Sequence, residues 1–285
     1  MSALNMHLIK KSYMHRIYVI GMVVVHEAVE LAINKARSNG ISIVGCSNYA
    51  SATGALGAWA SQITSHGYIG IVMSQCNEMV APHGSYEPIF GTNPIAIGIP
   101  TLPRAQILDM ATSSMAWYGL KLAEKEGASI PSNVAYDRNG YTTTSPTEAL
   151  HGALRVFDRS YKGSHLALMI ELLAGAFTGA AMEDKGSSNN WGSLVIAINP
   201  DYVFGLNTLE DFRSSAMTMC DRVKNAKKIP TDDAIYSNSD GGGGKDDRIM
   251  LPGERGDLLM EENLRQGTIV MLDNVYDDLV KLAQQ

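Results

Sequence analysis

From Val23 to Arg37 apolar residues recur every three or four positions, with Val25, Ala28, Val29, Ala32 and Ala36 on neighbouring turns. This spacing predicts a helix with one buried face, which Gly40 ends. The run Ile41-Ser42-Ile43-Val44 then reads as a short buried strand. A second helix is predicted from about Thr53 to His66, stopped by Gly67 and followed by a strand from Tyr68 to Ser74. Helix, glycine, strand, twice over, is the pattern of an α/β protein. The unbroken apolar run Ile17 to Val25 is long for a surface strand. It reads either as a contact between subunits or as a strand buried within one subunit.

Downstream, Ala81 to Gly91 carries Pro82, Gly84 and Pro88 and reads as a loop. Strands are predicted at Ile95 to Ile99 and Gln106 to Met110, with Thr112 or Ser113 capping a helix that runs to about Glu126 and ends at Gly127. Asp137-Arg138-Asn139-Gly140 reads as a tight turn, since Asn-Gly accepts positive φ. Helices are predicted from Pro146 to Val156, Ser164 to Thr178 and Leu209 to Asn225, with a strand from Gly192 to Asn199 between the last two. Ser237 to Asp247, with four consecutive glycines, reads as an exposed flexible loop. The division expected is an N-terminal part (1–40), a central region (41–200) and a C-terminal segment packing back on the core (201–285).

Composition narrows the function. With 45% hydrophobic and 18% charged residues, the chain is an ordinary globular protein rather than a disordered one. A net charge of −6 argues against nucleic acid, whose phosphates require a basic surface. Cys46, Cys76 and Cys220 show no metal-type spacing and read as buried free thiols, which suits a reducing, cytoplasmic setting. Lys10, Lys11 and Arg16 precede the apolar run, but that run is too short to cross a bilayer and lacks a cleavage signature. No membrane association is expected.

Several familiar motifs fail. No GxGxxG follows a strand, so a Rossmann pyrophosphate turn is absent. Gly241 to Lys245 has the wrong spacing for a P-loop, and Asp246 stands where a hydroxyl should bind magnesium. In His26-Glu27-Ala28-Val29-Glu30 a glutamate replaces the second zinc-binding histidine, so no metal is expected. There is no GxSxG elbow.

Four modest segments remain. Asp109-Met110-Ala111-Thr112-Ser113 sits where a strand gives way to a predicted helix; small side chains and free N–H groups would admit an anion, and a plain N-cap explains the same residues. Thr92 and Asn93, within Gly91-Thr92-Asn93-Pro94, are either ligand contacts or a simple turn. In Tyr161-Lys162-Gly163 the lysine either holds a phosphate or carboxylate, or is solvated. Pro252-Gly253-Glu254-Arg255 reads by itself as surface.

Together and in this order, these segments resemble the malate/L-lactate dehydrogenase family, as do Ala81-Pro82-His83-Gly84 and Ala135-Tyr136-Asp137. The resemblance runs from about Gly21 to Leu282. It implies an α/β fold with a mixed, largely antiparallel sheet wrapped by helices, and hydride transfer between NAD or NADP and a 2-oxoacid, 2-hydroxyacid or related imine. It also implies a homodimer, with residues 1–40 a remnant of the N-terminal, dimerisation part and residues 41–200 the cofactor-binding region. The family includes enzymes for ureidoglycolate-, sulfolactate- and piperideine-carboxylate-type substrates. By resemblance, Asp109 to Ser113, Thr92, Asn93, Tyr161, Lys162, Gly163, Gly253, Glu254 and Arg255 lie against the cofactor. Asp137 is the candidate for orienting a proton donor, with turn formation as its structural alternative.

The departures from the family matter as well. Its members carry an N-terminal Ser-His-Gly, closely followed by arginine, which supplies the proton and holds the carboxylate. That segment is expected to be missing here, and His7, His15 and His26 do not match it. Tyr49 stands where relatives usually have a histidine, Ala50-Ser51 where they have Phe-Gly, and His165 where glycine is common. The expectation is an oxidoreductase that binds cofactor and turns over slowly. The alternative is a catalytically inactive, nucleotide-binding or dimerising relative.

Overall fold

The structure, a computed structural model, describes residues 7–9, 20–203, 209–228 and 248–268, with helical positions at 276, 280, 281 and 283. The Ser237 to Asp247 loop and residues 17–19 of the first apolar run lie outside the described residues.

The chain enters through β1 (His7–Ile9) and α1 (Gly21–Asn39), followed by β2 (Ile41–Tyr49), α2 (Leu56–Ser65) and β3 (Ile69–Ser74). Next come the hairpin β4 (Ile95–Ile99) and β5 (Gln106–Met110), then α3 (Trp117–Glu126). A small lobe follows, made of β6 (Ala135–Tyr136), α4 (Pro146–Leu150), β7 (Ala153–Leu154) and α5 (Tyr161–Ile170). A π turn (Glu171–Gly175) and a 3₁₀ turn (Ala176–Thr178) extend α5, and α6 (Lys185–Ser188) leads into β8 (Trp191–Ile198). The remaining helices are α7 (Pro200–Val203), α8 (Leu209–Lys224) and α9 (Glu254–Gln266).

Among the described residues the main sheet has the order β1-β2-β8-β3-β4-β5. Only β1 and β2 are parallel; the other four pairings are antiparallel, as expected of a mixed, largely antiparallel sheet. On one face α1 buries Val25, Ala28, Val29, Ala32 and Ala36, the stripe its sequence spacing indicated, together with Ile33. These residues share a core with Val44, Val72, Val195 and Ala197 of the sheet and with Leu56, Ala60 and Ile63 of α2. The glycines of the sheet allow that closeness: a Cβ at Gly70 would lie 2.9 Å from the Ile63 Cβ. On the opposite face Ile170 and Ala174 pack against Met73 and Leu194.

Several expectations are corrected. The run Ile17 to Val25 is no strand where it is described: Gly21 to Val25 form the first turns of α1, with Val24 and Val25 buried and Ile20, Met22 and Val23 exposed. Local apolarity could not separate a strand from a buried helix end. The predicted strand Ile41 to Val44 runs on to Tyr49 through a register shift between Cys46 and Tyr49. Pro146 to Val156 is not one helix; α4 stops at Leu150, His151 and Gly152 turn the chain, and β7 follows. The helix predicted from Ser164 begins earlier, at Tyr161, under a Ser160 cap, and ends in the π and 3₁₀ turns. The helix after β5 starts at Trp117, not at Thr112 or Ser113. Glu254 and Arg255, read by themselves as surface, open α9, in which no residue is buried, with Gly253 at φ 93° before them.

Candidate active site

A cavity of about 740 Å³ opens at the C-terminal end of β3. Four segments wall it: the Ser51–Ala55 stretch before α2, the Ser74–Asn77 stretch leaving β3, the Thr92–Pro94 turn and the first turn of α3. Ala111 and Trp191 close the remaining sides. The Ser51 stretch is tied to the start of α1, where the Gly21 N–H donates to Ser51 Oγ at 2.6 Å. A Cβ at Gly21 would meet the Ser51 carbonyl oxygen at 2.5 Å, so only glycine allows this approach.

The first turn of α3 is the electropositive wall. Its N-cap, Ala116, provides no side-chain acceptor and no acid stands in the first turn, so the helix end presents its partial positive charge uncompensated. One turn on, Lys121 sits 5.7 Å from the Trp117 ring centroid and is the one cationic side chain lining the cavity among the described residues. No histidine or carboxylate lines it among the described residues. Cys76 does, and desolvation raises its thiol pKa, which disfavours the thiolate.

Behind the Thr92–Pro94 turn lies a buried polar network. Asn93, at φ 38°, donates through Nδ2 to Glu171 Oε2 at 2.6 Å and to the Ala167 carbonyl at 3.0 Å. Glu171 pairs with Lys185 Nζ at 2.6 Å, and the ammonium also donates to the Ile89 carbonyl. The two side chains are 5% and 1% exposed. Thr112 fastens the turn from its other side, donating to the Thr92 and Asn93 carbonyls at 3.0 and 3.1 Å. Glu171 opens the π turn, the irregularity often found beside functional sites. Three buried amide oxygens in this neighbourhood, of Gln75, Asn77 and Asn93, accept no hydrogen bond. Such atoms carry a desolvation cost that a ligand N–H or ordered water would relieve.

Of the residues singled out in the sequence, Thr92 and Ala111 line the cavity, and Asn93 and Thr112 brace its wall. The anion-binding helix start assigned to Thr112-Ser113 is corrected. The Thr112 N–H already donates to Thr92, the Ser113 hydroxyl donates to Met115, and the open helix start is Ala116–Trp117. Met110, half-buried, pairs with Ile95 at the end of β5. The Asp109 carboxylate accepts from the Gly57 N–H at 2.7 Å, which caps α2.

Tyr161, Lys162 and Gly163 do not line the cavity. Tyr161 packs against His165, Lys162 is exposed, and the Gly163 N–H donates to Asp158. Gly253, Glu254 and Arg255 are also outside it; the Pro252 carbonyl accepts from Ile107 of β5, and Glu254 accepts from Lys224 at 2.8 Å and from the Leu251 N–H. The Asp137 carboxylate accepts from the N–H groups of Asn139 and Tyr141 at 2.8 and 2.9 Å, the turn-forming alternative. Sequence reasoning missed Lys121, Lys185 and the role of Glu171. Only the Trp117/Lys121 spacing of four was a readable signal.

Comparison with known proteins agrees with this architecture. A family model described as malate/L-lactate dehydrogenase matches residues 18–280. The chain belongs to the malate/L-lactate dehydrogenase family. The L-sulfolactate dehydrogenase of Methanothermobacter thermautotrophicus is 38% identical over 221 residues, 74% of this chain and 63% of that protein. The malate dehydrogenase of Pyrococcus abyssi is 32% identical over 277 residues, 93% of this chain and 71% of that protein. The solved sulfolactate dehydrogenase of Methanocaldococcus jannaschii superposes with a TM-score of 0.74 at 30% identity, covering 94% of this chain and 73% of that one. The family fold thus holds over nearly the whole chain, which spans less than two thirds of the length of the first of these relatives.

Proposed function

We propose that the chain binds a nicotinamide dinucleotide, NAD or NADP, in this cavity and serves hydride transfer between that cofactor and a 2-oxoacid or 2-hydroxyacid of the malate/lactate type. The observation that carries this reading is the cavity itself. Its volume falls within the roughly 300–1,000 Å³ of small-molecule sites. Its walls are mostly apolar, and its one charged side chain among the described residues is Lys121 beside an open helix N-terminus. That combination suits a flat aromatic ring with an attached anion. The residues fit the cofactor in kind: the wall about Thr92 and Ala111 is small-sided, Trp117 and Trp191 offer aromatic faces, and Lys121 would hold a phosphate or carboxylate. The bound dinucleotide would supply the hydride.

Reducing a 2-oxoacid also needs a proton for the developing alkoxide. Lys121 and Tyr118 are the ionisable side chains on this wall, and Lys121 also has the charge to draw a carboxylate. Replacement of Lys121 by Ala is expected to weaken NADH or NADPH binding roughly fivefold, since the ammonium is exposed and partly screened. Lys162→Ala, away from the cavity, is expected to leave binding unchanged. Fluorescence titration of both variants decides the assignment, and the reverse pattern would move the anion site to α5.

We also propose a homodimer. Along α5 and the turns after it, Tyr161, Leu168, Met169, Leu172, Leu173 and Phe177 are exposed at helical spacing, an apolar stripe suited to a second copy of the chain.

A further inference from the structure

Tyr49 is 1% exposed, and its hydroxyl is hydrogen-bonded to Ser193 Oγ. Ser193 Oγ lies 2.6 Å from Ser74 Oγ. Ser74 in turn lines the cavity. The three hydroxyls come from β2, β8 and β3, which are neighbours in the sheet, so they run across it from the core to the cavity wall. The register shift before Tyr49, with Asn48 at φ 66°, puts the tyrosine opposite Trp191 rather than in simple sequence with Cys46.

Each hydroxyl donates one hydrogen and can accept two, so the chain can run inward, run outward, or converge on Ser193, and convergence would leave the buried Ser193 hydrogen unused. If Ser74 donates inward, Ser193 donates to Tyr49 and the phenol hydrogen is left in the core without a well-placed acceptor. Among the described residues the phenol makes its well-formed hydrogen bond with Ser193; Ser74 interacts with it more weakly, and the neighbouring Cys46 thiol already donates to the Ser193 carbonyl. If Tyr49 donates outward, all internal hydrogens are satisfied and the last one, on Ser74, is directed to the cavity. A buried unsatisfied donor is expensive, so the outward polarity is favoured.

We propose that Tyr49 is a positioning residue that fixes Ser74 as a hydrogen-bond donor to the cavity, selecting a ligand that presents a carbonyl or carboxylate oxygen there. Burial pushes the phenol's pKa up, so its hydrogen stays in place to donate. The inference rests on the dinucleotide reading: the oxygen belongs either to the nicotinamide carboxamide or to the 2-oxoacid.

The test is a pair of double-mutant cycles on the full chain, using Tyr49→Phe, Ser193→Ala and Ser74→Ala and the combination of each of the first two with Ser74→Ala; Ser193→Ala breaks the chain while leaving the aromatic ring in place. NADH is titrated first, and oxaloacetate is then titrated onto the NADH complex. Ser74→Ala should weaken one of these steps about three- to tenfold, the loss of one neutral hydrogen bond. Tyr49→Phe and Ser193→Ala should weaken the same step by at least twofold alone and add nothing in the Ser74→Ala background. A loss in the NADH step identifies the carboxamide, and a loss confined to oxaloacetate identifies the oxoacid. Additive losses would mean that Tyr49 acts through the fold, and wild-type affinity in all variants would remove the site; either result overturns the inference while leaving the dinucleotide reading intact. Failure of the wild-type chain to bind NADH or NADPH would overturn both.

Discussion

Lys185 and Glu171 are two charges taken almost wholly out of water. Their pairing is stable only because each is further hydrogen-bonded, Lys185 to Ile89 and Glu171 to Asn93. Lys185→Met leaves an unpaired buried carboxylate and is expected to cost about 3–5 kcal/mol. Adding Glu171→Gln should recover most of that loss, and chemical denaturation of the single and double variants checks it. Asp158 shows the same logic at the surface. Burial alone would raise its pKa, but hydrogen bonds from Ser160 and Gly163 outweigh it and hold the carboxyl below its ordinary 3.8. A depressed folded pKa stabilises above the unfolded value and is lost as pH falls through the folded one. The melting-temperature gap between wild type and Asp158→Asn should therefore be widest near neutral pH and close in acid, below about pH 4. Neither network was legible in the sequence. Glu171 and Lys185 are fourteen residues apart with a π turn and a loop between them, and no local pattern marks a long-range ion pair.

At the scale of elements, periodicity served where an element buries one regular face. The α1 stripe and strands β3, β4, β5 and β8 fell close to their predicted places, because a helix of period 3.6 or an apolar strand carries its burial in its own residues. It failed at Thr112-Ser113, where good capping residues precede an extended stretch bridged to Val156 instead of a helix. The tertiary bonds of Thr112 to the Thr92–Asn93 turn overrode its local preference. Asp109 is a related case, a residue whose carboxylate reaches across to α2. Asp109→Ala is expected to lower stability by about 1 kcal/mol through the lost Gly57 contact, the usual cost of an uncapped helix start. If Asp109 touched cofactor instead, dinucleotide affinity would fall with no change in the melting temperature, so the two readings separate in a paired measurement.

At the scale of the whole molecule, the sheet holds the cavity walls in one rigid frame: β3, β5 and β8 each deliver a wall segment at one end. The family resemblance was legible from six short segments, and so was the sheet's mixed character. The cavity's charged wall was not, because it depends on where α3 starts. The exposed stripe on α5 predicts a dimer at micromolar concentration by light scattering, with Leu172→Glu shifting the mass toward a monomer. The central claim is that this frame holds a nicotinamide dinucleotide against Trp117 and Trp191. Titrating NADH and NADPH while exciting tryptophan and recording nicotinamide emission tests it most directly, since energy transfer requires the two to be close. The account predicts saturable transfer for at least one dinucleotide, reduced when Trp117 is replaced by Leu. Absence of saturable transfer with either dinucleotide up to millimolar concentration would contradict it.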